Sequence, residues 1–159
     1  MEEGHQAAIS PLSSKELQED AMNRDDVIGY IDLYSNERFE EAVNSYFTED
    51  AYFWNTRIAL RGTQKIIDWL VASHLGYSEK LTPVSLIVEP EGAAIELEQE
   101  FYANEDMSHF FIRPMKKGEV LRTRGISWFL QFREGKICSS KEYRLLYRCD
   151  PRLFMTEVR

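Results

Sequence analysis

The residues with most chemical promise here are acidic and lie in stretches that alternate like β-strands. AIELEQEF, residues 94–101, places Glu96, Glu98 and Glu100 on one face. A further acidic residue, Glu142, sits in the similar stretch KICSSKEYRLLYR. Two carboxylates in a shielded hollow do not ionise independently. Burial and mutual repulsion make one hold its proton near neutrality while the other stays charged. Such a pair takes a proton at one atom and gives one at another. Everything depends on which way the acidic face looks. Periodicity alone also fits a half-solvated strand, with Ala93, Ile95, Leu97 and Phe101 in the core. In a hairpin with the next strand, Arg122 and Arg124 fall roughly opposite Glu100 and Glu98, and an exposed ladder of that kind contributes little.

The bulk composition narrows the function classes. The chain has 159 residues, 43% hydrophobic and 29% charged, as expected of one soluble domain with a real core. A net charge of −8 without a basic stripe argues against nucleic acid and against an anionic membrane surface. Cys138 and Cys149 have no metal-site spacing and are too few for a disulfide scaffold. MEEGHQAAIS lacks the apolar core of a secretory signal, and no apolar run is long enough to span a bilayer. These features predict a cytoplasmic protein. The 13% aromatic share suits either an aromatic core or the lining of a ligand cavity.

The elements that must position the acidic residues follow from the pattern. DDVIGYIDLYSNERFEEAVNSYF reads as two helices bent near Ser35 and Asn36. EDAYFWNTRIALRG reads as a short strand pair, and TQKIIDWLVASHLG as a helix stopped at Gly76. Four strands follow: KLTPVSLIVEP, GAAIELEQEFYA, GEVLRTRGISWFLQF and KICSSKEYRLLYR. Pro83 marks the first as an edge, and REGK is a tight turn between the last two. The expected fold class is α+β, with N-terminal helices packed on a highly curved antiparallel sheet. The domain is expected over residues 25–148. Residues 1–24 form an extension, with a short helix from the Ser13/Glu16 capping box, and residues 149–159 a tail.

This order resembles the cone-shaped nuclear-transport-factor-2-like superfamily, which includes SnoaL-like polyketide cyclases, limonene epoxide hydrolase and scytalone dehydratase. The resemblance rests on YFTEDAYFWN, LRGTQKIIDWL and FREGKICSSKEY, and covers roughly residues 25–147. It implies a conical pocket between helices and sheet, lined by acid/base residues from the strands. The epoxide hydrolase's arginine and aspartate, two residues apart on one strand, fall on Glu98 and Glu100. Its final-strand aspartate falls on Glu142, and its asparagine on Asn55. Its tyrosine two residues before that asparagine is Phe53 here, and its arginine is replaced by Glu98, with Arg124 as a substitute on the neighbouring strand. Tyr34 matches a pocket tyrosine of the dehydratase. His74 lies on the apolar side of its helix, within reach of the pocket, whereas His109 falls in a loop.

The resemblance therefore implies Glu142, Glu100 and Arg124 as catalytic residues. Tyr34, Asn55, Glu98, Phe53, His74 and Trp128 would bind substrate. The implied protein is an acid/base enzyme that needs neither cofactor nor metal. It would isomerise, cyclise or open a hydrophobic oxygenated molecule of polyketide or terpenoid type, as a homodimer. The alternative is a non-catalytic binding or dimerisation module of the same cone.

Overall fold

A computed structural model describes residues 21–144. The Ser13/Glu16 capping box, Cys149 and the 149–159 tail lie outside the described residues. Helix α1 (Arg24–Ser35) starts at a capping box. The Asn23 side chain accepts from the amides of Asp25 and Asp26 at 2.7 and 3.2 Å, and Asp26 accepts from the Asn23 amide at 2.9 Å. Val27, Tyr30, Ile31 and Tyr34, at helical spacing, form its buried face. Helix α2 (Phe39–Tyr46) follows after the expected bend and buries Phe39, Ala42 and Val43. Strands β1 (Phe47–Asn55) and β2 (Ile58–Arg61) pair antiparallel, and α3 (Thr63–Ser73) buries Ile66, Ile67 and Leu70.

The remaining strands are β3 (Tyr77–Glu89), β4 (Gly92–Ala103), β5 (Val120–Arg133) and β6 (Lys136–Arg144). The six strands form one sheet in the order β2-β1-β6-β5-β4-β3. The fold class is α+β, as expected, and β3 with Pro83 is an edge strand. The sheet is mixed, however, because β1 pairs parallel with β6. The meander β3–β6 leaves one side of β6 open, and β1 fills it from far away in sequence. Local patterning carries no signal for such a closure.

Four register shifts bend the sheet. One lies on β1 between Phe47 and Tyr52, one at Pro83/Ser85 on β3, one on β5 between Thr123 and Ile126, and one on β6 between Ile137 and Ser139. Gly125, at φ 75°, occupies the β5 bulge, where a side chain would be strained. Each bulge changes which alternate residues face inward.

The facing of β4 follows from magnitudes. Its buried side is Ala93, Ile95, Leu97, Gln99, Phe101 and Ala103. Burying Ile95, Leu97 and Phe101 contributes roughly 1.5–3 kcal/mol each. Burying three unpaired carboxylates instead costs several kcal/mol apiece. Glu96, Glu98 and Glu100 accordingly face outward. One core cluster fills the cone from α1 to β6. A second packs Tyr77, Phe101 and Leu121 of the strands against Phe110 and Met115 of the 104–119 excursion between β4 and β5.

Candidate active site

Buried charge converges between the helices and the sheet. His74 caps the C-terminus of α3, Glu79 projects inward from β3, Gln99 from β4, and Glu142 and Arg144 from β6. Tyr34 reaches them from the last turn of α1. Tyr34, Asn55, His74, Glu79, Glu142 and Arg144 share the wall of one cavity of about 30 Å³. That is the space of about one water molecule.

The hydrogen bonds define the protonation pattern. His74 Nδ1 lies 2.7 Å from the Leu70 carbonyl, which only accepts, so Nδ1 carries a proton. His74 Nε2 lies 2.9 Å from Glu79 Oε2, and this contact requires a second proton, shared between imidazole and carboxyl. The Tyr34 hydroxyl sits beside both, 3.3 Å from Nε2 and 3.4 Å from Oε2. Burial, reinforced by Glu79 and Glu142, pushes the Tyr34 phenol well above its usual pKa, so it remains a neutral donor.

Gln99, 1% exposed, ties the two halves of the cluster together. Its amide nitrogen donates to Glu79 Oε1, and its carbonyl accepts from Arg144 Nη1 at 2.8 Å. Arg144 Nε donates to Glu142 Oε1, and Arg144 Nη2 lies 3.7 Å from Glu79 Oε1. Burial opposes the charge on Arg144, but the Glu142 and Glu79 carboxylates outweigh it and raise the guanidinium pKa. Glu142 Oε2 has no partner among the described residues.

The structure brings together only some of the residues singled out in the sequence. Glu142, Tyr34, Asn55 and His74 line the cavity. Phe53 is buried against Trp69, a cavity residue, with ring centroids 5.5 Å apart. Trp128 packs behind Tyr34 at 5.4 Å. Glu100, Glu98 and Arg124 are elsewhere, on the outer face of the sheet. Glu100 pairs with Arg122 at 2.5 Å and Glu98 with Arg124 at 2.7 Å, all four substantially exposed. The shallow groove along this ladder, about 460 Å³, is larger than the cavity, but its acids and bases already neutralise one another. The expected pairing of Glu100 with Glu142 across a hollow is therefore not formed. The inward residues two apart on β4 are Gln99 and Phe101, one register step from the acidic row. The apolar side of β4 faces the core, not the outer surface where the family alignment put it. His109 is exposed in the 104–119 excursion.

Glu79, Gln99, Arg144 and Tyr77 escaped the sequence reading. The signal for Gln99 was its position as the one polar residue within the apolar row Ile95, Leu97, Phe101. For Glu79 it was the alternation Tyr77, Glu79, Leu81, which extends β3 before Lys80. Arg144 shares its inward side with Glu142, two residues earlier.

No protein-family model matches the sequence, and no curated protein matches it. Solved structures do match. A candidate polyketide cyclase from Pseudomonas putida aligns over 76% of this chain and 90% of its own, at 17% identity and TM-score 0.64. An LEH-like epoxide hydrolase from M. tuberculosis aligns over 75% and 79%, at 12% identity and TM-score 0.58. A protein of ketosteroid isomerase-like fold from Catenulispora acidiphila aligns over 79% and 88%, at 13% identity and TM-score 0.60. At such identities the likeness concerns the fold alone, and this chain folds like structures described as ketosteroid isomerase-like and NTF2-like.

Proposed function

We propose that the protein is a cofactor-independent acid/base enzyme that moves protons on a small oxygenated molecule. One observation carries this reading: His74 Nε2 lies 2.9 Å from Glu79 Oε2, on the wall of a cavity also lined by Glu142, whose Oε2 has no partner among the described residues. Glu142 is the base, with Arg144 holding its other oxygen. It takes a proton from a carbon next to a carbonyl. The His74–Glu79 pair delivers its shared proton to the carbonyl oxygen, giving an enol. The Tyr34 hydroxyl donates to the same oxygen and stabilises charge developing there. Reversal at a different atom completes an isomerisation or cyclisation. The structural neighbours described as cyclase and epoxide hydrolase support an enzyme of this general type. The polar wall and small cavity favour a compact polar substrate over a bulky hydrophobic one of polyketide or terpenoid type. A homodimer would form through the outer sheet face, where Phe129 and Tyr143 are exposed.

The test is deuterium exchange from D2O into a panel of small carbonyl compounds, followed by NMR. The wild-type chain is expected to catalyse exchange into at least one of them, and Glu142→Gln to abolish it with the fold retained. Exchange that survives Glu142→Gln would remove the proposed base. A second reading, a non-catalytic module of the same cone, draws on the mutual hydrogen bonding of the cluster and the one-water cavity. It predicts no exchange with any compound.

A further inference from the structure

We infer that the substrate carries a carboxylate, and that the turn between β1 and β2 anchors it. The inference names the substrate class of the site proposed above and rests on that reading. Asn55 Oδ1 accepts from the amides of Arg57 and Ile58 at 2.9 and 3.1 Å, which closes the turn and fixes the side-chain amide. Its Nδ2 keeps two donors without a partner among the described residues. Asn55 is 7% exposed and lines the cavity, so those donors serve the cavity or nothing.

Two residues on, Arg57 stands on the same wall. Its guanidinium lies over the Phe111 ring, 5.3 Å from the centroid, and forms no ion pair among the described residues. The other cationic groups of the site are already engaged. Arg144 is held by Glu142, Gln99 and Glu79. Glu79 and Glu142 carry two negative charges, which Arg144 and the proton shared with His74 balance. Arg57 is the surplus charge. A planar guanidinium beside a primary amide is a donor set that suits a carboxylate, with its two oxygens side by side. A cation would be repelled there, and a neutral group would leave the guanidinium unmatched.

An acid anchored on this turn extends along the wall that carries Tyr34, His74 and Glu142. The cavity of about 30 Å³ is too small for it, so its entry displaces the Phe111 ring, which also covers Arg144 at 5.1 Å. The inference assigns the cavity a short-chain oxo-acid, with the acidified carbon between the anchor and the His74–Glu79 pair.

The experiment titrates the full chain with acetoacetate and with acetoacetamide, which has the same shape without the charge. Binding is followed by calorimetry and by the ring-nitrogen shifts of His74. Acetoacetate is expected to bind at least ten-fold more tightly than the amide. Arg57→Gln, an exposed substitution that spares the fold, should weaken acetoacetate about ten-fold and leave the amide and the His74 shifts of the free protein unchanged. Equal affinity for the two compounds, no binding of either, or an Arg57→Gln variant that binds acetoacetate as the wild type does would each overturn the anchor. These readouts are independent of turnover. If Glu142→Gln retained exchange while the charge preference held, the acid/base reading would fail and the anchor would stand.

Discussion

The outer face of β4 and β5 and the inner wall of the cone carry the same kinds of side chain in different surroundings. Outside, Glu98–Arg124 and Glu100–Arg122 form a ladder in contact with water. Such pairs contribute about 0–1 kcal/mol each, because solvent already stabilises the separated charges. Inside, Glu79, Glu142, Arg144 and His74 have lost their water and depend on one another. Position relative to solvent, and not residue type, separates a hydrated ladder from a cluster able to perturb proton affinities.

Removing the inner cation tests that contrast most severely. Arg144→Met is expected to destabilise the fold by about 3–5 kcal/mol, since it leaves two buried carboxylates without their counter-charge. Urea denaturation reads the loss, and Arg124→Met on the outer face should cost less than about 1 kcal/mol in the same assay. Equal costs would erase the distinction between the faces. A milder break is Gln99→Leu. It keeps the apolar row of β4 but removes the partner of both Glu79 and Arg144, at an expected cost of about 1–3 kcal/mol from the groups left unsatisfied.

Alkaline pH sharpens the comparison without mutation. Burial pushes the Tyr30, Tyr34 and Tyr77 phenols above their ordinary value of 10.0, with Glu79 adding to the rise in each. A group whose folded pKa is raised contributes stability that is complete below its unfolded pKa and fades as pH rises toward the folded one. Stability should therefore hold up to about pH 10 and fall steadily above it. Tyr34→Phe should make that fall shallower. An unchanged alkaline slope in this variant would show that the phenol ionises freely in the folded protein. The smallest effect belongs to the ladder. A double-mutant cycle on Glu98 and Arg124 should give a coupling of about 0.2–1 kcal/mol that shrinks as salt is raised.

Much of the fold was legible from pattern. The helix pair bends where Ser35 and Asn36 break the periodicity, and REGK forms the β5–β6 turn with Glu134 and Gly135 at φ 53° and 67°. Glu100 does stand opposite Arg122 in the β4–β5 ladder. The site was less legible. Tyr34, Asn55, His74 and Glu142 reach the cavity, but the acidic row of β4 was placed on the wrong face. The resemblance set Glu98 and Glu100 inward, whereas their neighbours Gln99 and Phe101 stand there, and a step of one residue reverses every side chain of a strand.

The amino-acid order alone determined which side of each regular segment is apolar, and so which strands and helices form and how neighbouring strands pair. Hydrophobic burial acts over a few residues and repeats with the period of the backbone. Which charges meet was decided only in three dimensions. Tyr34, His74, Glu79, Gln99 and Glu142 come from two helices and three strands, and all but the neighbours His74 and Glu79 are far apart along the chain. They converge because β1 closes against β6 and because the bulges at Gly125 and Cys138 shift which residues point inward. Those are long-range properties of the bent sheet, and no local periodicity encodes them.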